Sequence, residues 1–131
     1  MKGNFLLRSI AVCAMVIAFQ VSCKQSPQRN CTDFKTGKYR FSTVVEGDTL
    51  TTVFVRNETI EVEYFKESQD TSTVRWINDC EYVLKKLNPK SRAEEKSVHI
   101  KILTTTDSSY TFEFSAVGEP KKLRGTAIKT H

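Results

Sequence analysis

Val98-His-Ile-Lys-Ile102 and, beyond Thr106-Asp107-Ser108, Tyr110-Thr-Phe-Glu-Phe-Ser115 decide the fold of this chain. Val98, Ile100 and Ile102 alternate with His99 and Lys101, and Tyr110, Phe112 and Phe114 alternate with Thr111, Glu113 and Ser115. Strict period two with β-branched and aromatic residues predicts half-buried strands, and the short polar break between them predicts a hairpin.

The same period extends in both directions. Tyr39 and Phe41 alternate with Arg40 and Ser42, Val53 and Val55 with Phe54 and Arg56, and Ile60, Val62 and Tyr64 with Glu61, Glu63 and Phe65. Val74 and Trp76 flank Arg75; Cys80, Tyr82 and Leu84 alternate with Glu81 and Val83; Leu123 to Lys129 closes the series. Turn signals separate these runs at Glu46-Gly47-Asp48, Arg56-Asn57-Glu58, Ser68-Gln69-Asp70, Asn78-Asp79 and Gly118-Glu119-Pro120. Only Asn88 to Lys96 is longer; it is rich in charge and suited to a single helical turn. The expected fold is all-β, a single antiparallel up-and-down meander of about eight short strands. An apolar face on such a meander removes its edges by curling into a lipocalin-like barrel or half-barrel.

The first residues have a different character. Lys2 and Arg8 precede the apolar run Ile10 to Phe19, which ends at Gln20-Val21-Ser22-Cys23. A run of about ten apolar residues suits the core of an export signal, and spanning a bilayer takes about 20. Residues 1–22 are therefore expected to be a signal peptide, with Cys23 as the lipidation site at the new N-terminus, as in a lipobox in which Gln20 replaces the usual Leu. Residues 23–30, with the polar Lys24 to Asn30, are expected to form a lipid-anchored tether. Fully stretched, those seven residues reach about 23 Å. The barrel-like domain is expected at 31–131. This organisation implies a bacterial cell-envelope protein, lipid-anchored and facing the periplasm, because the tether has no acidic run resembling a surface-export signal.

The chain has 20 basic and 15 acidic residues. Loss of Lys2 and Arg8 with the signal leaves 18 against 15, a net charge of +3. The basic residues are dispersed, so nucleic acid is excluded as a partner on charge grounds. Of four cysteines, Cys13 leaves with the signal and Cys23 takes the lipid; Cys31 and Cys80 are expected to pair as a disulfide in an oxidising envelope. Closing that loop of about 50 residues stabilises by roughly 3 to 4 kcal/mol on the chain-entropy model.

Gly37-Lys38-Tyr39 opening the first strand, with Arg124 in the last, resembles the lipocalin and calycin plan. The resemblance implies a basic residue packed over an early aromatic ring, with Tyr39 standing where that plan has Trp. Cys31-Thr-Asp-Phe-Lys-Thr-Gly-Lys-Tyr39, Trp76-Ile-Asn-Asp-Cys-Glu-Tyr82 and Gly125-Thr-Ala-Ile-Lys129 resemble small uncharacterised envelope lipoproteins of Bacteroidota, over most of the mature chain. Some of these carry the label topoisomerase IV. An exported chain of this size with no nucleotide or DNA-cleavage site gives that label no support.

Chemistry is sparsely represented. His99 is the only histidine inside the barrel region, on the face opposite the apolar set, and with the terminal His131 and two cysteines it makes no metal-ligand spacing. Asp79, Glu81 and Asp107 lie at strand ends or on outward faces. There is no phosphate loop, serine elbow or histidine pair. The expected protein is not an enzyme and needs no cofactor. Tyr39, Tyr64, Tyr82, Tyr110, Phe112 and Phe114 are assigned to the inward face. They either fill a small barrel solid, the preferred reading, or line a cavity for one apolar ligand. Trp76 is read as core in preference to a ligand-stacking ring. Asp48-Thr49-Leu50 resembles the Bacteroidota O-glycosylation acceptor, making Thr49 a candidate site. Two functional classes follow. The preferred class is a non-catalytic lipoprotein acting as a binding or interaction module for an envelope protein, favoured by the anchor; the alternative is a lipocalin-like carrier of a small hydrophobic ligand, favoured by the aromatics.

Overall fold

The computed structural model describes residues 28–131; the expected signal peptide and Cys23 lie outside them. Eight strands run in chain order: β1 (Gly37–Val45), β2 (Asp48–Arg56), β3 (Ile60–Phe65), β4 (Ser68–Asn78), β5 (Glu81–Lys86), β6 (Val98–Thr105), β7 (Ser109–Ala116) and β8 (Leu123–Thr130). Each pairs antiparallel with its sequence neighbours, and β1 with β8, so the all-β meander closes into a barrel. Closure follows from twist and from register breaks at Trp76/Asn78 and Ile102/Thr104, which bend the sheet at its floor end.

Local sequence sets the connections. Glu46 and Gly47 both take positive φ, 52° and 89°, as a two-residue hairpin joining twisted strands requires. Arg92–Glu95, named α1, is the one α-helical turn among the described residues; Ser91 Oγ accepts from the Glu94 N–H at its start, 3.3 Å. The 3-10 turn Thr32–Phe34 closes the opposite end of the barrel, inserting buried Phe34. Cys31, just before it, is bonded to Cys80 in the β4–β5 turn, with 5.2 Å between their Cα atoms.

Packing divides the interior into two halves. At the floor, Tyr39 stacks on Phe54 with centroids 5.1 Å apart and meets Tyr110 edge-on at 5.6 Å, while Phe34 meets Tyr110 at 5.3 Å. Ile102, Ala127 and Tyr82 complete a floor that is filled solid. Toward the other end the strands diverge and the interior stays open. β8 pairs with β1 only from Lys38 to Phe41, and β3 pairs with β2 only from Val53 to Arg56, so the β1–β2 hairpin tip projects beyond the rim. The expectation of a barrel filled throughout by its aromatics thus holds for the floor half alone, because Phe41, Phe112 and Phe114 pack along one wall and do not meet the other.

Two orientations differ from the sequence reading. Tyr64 is on the outer surface, 43 % exposed. Register pairs Arg56 with Glu61 and Phe54 with Glu63 on the inside, which sends Val62 and Tyr64 outward against Val55 and Val53. The buried guanidinium of Arg56 needs the Glu61 carboxylate, and that ion pair overrides the apolar parity of β3. Arg124 also faces out. Gly125 is opposite inward Phe112, so Arg124 is on the outer face beside Glu113, with Nε 3.6 Å from Oε2.

Candidate functional site

β2 carries the key residue. Parity with buried Phe54 points Arg56 into the floor, where it is only 2 % exposed. Its Nη1 donates to Glu61 Oε2 at 3.0 Å and to the Tyr82 hydroxyl, and its Nη2 donates to the Phe34 carbonyl at 2.9 Å and the Tyr110 hydroxyl at 3.1 Å. The rings of Tyr82, Tyr39, Phe54, Trp76 and Tyr110 surround the guanidinium, with its carbon 4.5 to 5.8 Å from their centroids. Arg56 therefore occupies the place over Tyr39 that the lipocalin resemblance gave to Arg124.

The electrostatics follow from this enclosure. Burial pushes the Glu61 carboxyl up to about 7, against the pull of Arg56. Burial also opposes charge on Arg56, but the Tyr82, Tyr110 and Glu61 oxygens outweigh it and hold the guanidinium above its ordinary range. Tyr39 is pushed up to about 12, chiefly by burial, and Tyr82 and Tyr110 are raised for the same reason. These hydroxyls stay protonated and serve as fixed dipoles, with none of the depressed pKa values of an activated nucleophile.

Above this floor opens a cup of about 460 Å³. One side is aromatic: Phe41 of β1 with Phe112 and Phe114 of β7, Phe41 and Phe112 having centroids 5.4 Å apart. The facing side, β3 to β5 with α1, is polar and carries Glu61, Glu63, Ser72, Lys86 and Glu94. Lys86 Nζ bridges Asp70 Oδ2 at 3.1 Å and Glu94 Oε1 at 3.2 Å, joining β4, β5 and the helical turn. Burial raises the Glu63 carboxyl, with Lys86 opposing and Asp70 reinforcing the shift. Gly125 lies behind the aromatic side. A Cβ there would come within 3.0 Å of Phe112 Cζ and would collide with the Phe41 ring, so glycine lets both rings lie flat along β8.

The inward aromatics of the sequence reading separate into two groups. Tyr39, Tyr82, Tyr110 and Trp76 gather around Arg56 at the floor, with Trp76 4.5 Å from Tyr82 by centroids; Tyr82 and Tyr110 also reach the cup. Phe112 and Phe114 line its wall. Tyr64 and Arg124 are outside, and Thr49 is exposed beside the projecting hairpin tip. His99 is on the outer wall with Nε2 3.1 Å from Glu81 Oε2, apart from the cup. Sequence reasoning missed Arg56, Glu61, Glu63 and Lys86 as interior groups. A usable signal was present: Phe54-x-Arg56 and Glu61-x-Glu63 flank one turn, so opposite charges at their near ends can meet across the ladder. Comparison with family models, curated proteins and solved structures returned no match.

Proposed function

We propose that this chain is a non-catalytic envelope lipoprotein, anchored through Cys23, whose barrel holds one small molecule with an apolar body and a polar end. The observation that carries the reading is the cup of about 460 Å³ with one aromatic and one polar side. That volume and lining are in the range of small-ligand sites, and the solid floor makes it a blind cup with one mouth. Aromatic rings supply affinity and the few polar groups set orientation.

The anchor gives the cup a direction. Arg29 Nη1 donates to the Ile102 carbonyl at 2.8 Å and the Asn30 N–H donates to Thr105 Oγ1 at 2.9 Å, so the segment before the barrel is fastened at the floor end. The mouth, rimmed by α1, Lys96 and Phe114, is at the other end. A lipid on Cys23 then puts the floor toward the bilayer and the mouth toward the periplasm, which suits a ligand taken from water. Globomycin should make the precursor accumulate, and Cys23→Ala should release the protein from membranes; a mature chain without lipid by intact mass would overturn the anchor.

The cup is tested with the neutral fluorophore phenylnaphthylamine. Its emission should rise on binding the wild-type barrel, and Ser72→Trp, which fills the cup from β4, should abolish the rise. Equal enhancement by both proteins would contradict the assignment. A second reading, an interaction module for an envelope protein, draws on the outward Val55, Val62 and Tyr64, which give the barrel an apolar strip at β2–β3. Loss of a co-purifying envelope complex on Tyr64→Lys, with probe binding unchanged, would favour it.

A further inference from the structure

The two sides of the cup differ in charge as well as polarity. Among the groups at its polar side, Arg56 satisfies Glu61, and Glu119 at the rim satisfies Lys96. What remains is Glu63, its cross-strand neighbour Asp70, Glu94, and Lys86 between the last two. Three carboxylates face one ammonium, an excess of two negative charges among the described residues. Lys86 is engaged with Asp70 and Glu94, and Glu63 makes no ion pair among the described residues. Opposite stand the faces and edges of Phe41, Phe112 and Phe114.

Resting on the reading of the cup as a ligand site, we infer that its ligand is an organic cation with an apolar body, an alkyl- or arylammonium compound. The head is held at Glu63 beside Asp70, and the body lies along the three phenylalanine rings. Glu63 is exposed toward the open side of the cup and Asp70 is half-buried beside it, so the two neighbouring carboxylates attract a cation through their combined charge. The rings add attraction for positive charge that an anion would lack. An anion of the same shape would meet the carboxylates unpaired, so discrimination has a repulsive as well as an attractive part.

Calorimetric titration of the mature chain with octylammonium, octanol and octanoate separates these contributions at constant body. The expected order is octylammonium tightest by about tenfold over octanol, with octanoate weakest. Glu63→Gln should lower octylammonium affinity about tenfold and leave octanol unchanged. Lys86→Met, which frees two further carboxylates, should tighten octylammonium binding. Octanol or octanoate binding as well as octylammonium would overturn the cation assignment while leaving the cup reading standing. An octylammonium affinity indifferent to both substitutions would overturn it as well. No binding by any of the three, or binding that survives Ser72→Trp, would overturn both.

Discussion

Arg56 brings a charge into the closed end of the barrel, and the surrounding residues compensate it: one carboxylate, two phenol hydroxyls, a backbone carbonyl and five ring faces. Removing the guanidinium alone strands Glu61 in an apolar floor. Arg56→Met should therefore cost about 3 to 5 kcal/mol in urea unfolding at about pH 8, where Glu61 is ionised in the native pair, the range for breaking a buried pair. Adding Glu61→Gln should recover part of that loss, because no lone charge is left behind. Glu61 also makes stability depend on pH. Its folded pKa, about 7, is above the ordinary 4.5, so between those values the folded chain keeps a proton that the unfolded chain releases. The stabilisation from that proton is complete below about pH 4.5 and is lost as pH rises through about 7. Wild type should lose stability between about pH 5 and about pH 8 relative to Glu61→Gln, by about 1.4 kcal/mol per unit of difference. Parallel pH profiles of the two proteins would contradict this account of Glu61.

At the scale of elements, period two located all eight strands, and the turn residues located the hairpins. The side each strand presents was legible where one parity is apolar and the other polar, as in β6 and β7. In β3 it was not. Ile60, Val62 and Tyr64 look like an inward set, yet Arg56 on β2 draws Glu61 inside and reverses the strand. Arg124 was misplaced for a related reason: its parity depends on Gly125 meeting Phe112, a register that no local pattern encodes. The cup itself was illegible, since composition gives the number of rings but not whether opposite walls touch. Gly125→Ala tests the aromatic side. The added methyl must displace Phe41 and Phe112, and overpacking of this kind costs about 1 to 3 kcal/mol; urea unfolding should show that loss, and phenylnaphthylamine binding should weaken with it. The Cys31–Cys80 bond fastens the chain's entry to the β4–β5 turn. Replacing both cysteines with serine should lower stability by roughly 3 to 4 kcal/mol, and a loss under 1 kcal/mol would mean that hydrogen bonds at the floor hold the entry unaided.

For the whole molecule, the consequence is polarity along the barrel axis. The chain enters at a sealed floor and the cup opens at the far end, so the lipid proposed at Cys23 would orient the mouth away from the bilayer. Labels placed at Asp107 near the floor and at Ala93 on the rim should differ in quenching by a lipid-borne quencher, the floor label being quenched more strongly in vesicles carrying the acylated protein. Equal quenching would mean that the barrel lies on its side. The claim on which the rest depends is that the cup holds a small molecule, and native mass spectrometry of the protein purified from its own membrane tests it most directly. The account predicts a stoichiometric adduct of small mass on wild type, absent from Ser72→Trp and diminished in Glu63→Gln. A bare barrel in every preparation, with no mass retained under conditions that keep the fold, would contradict it.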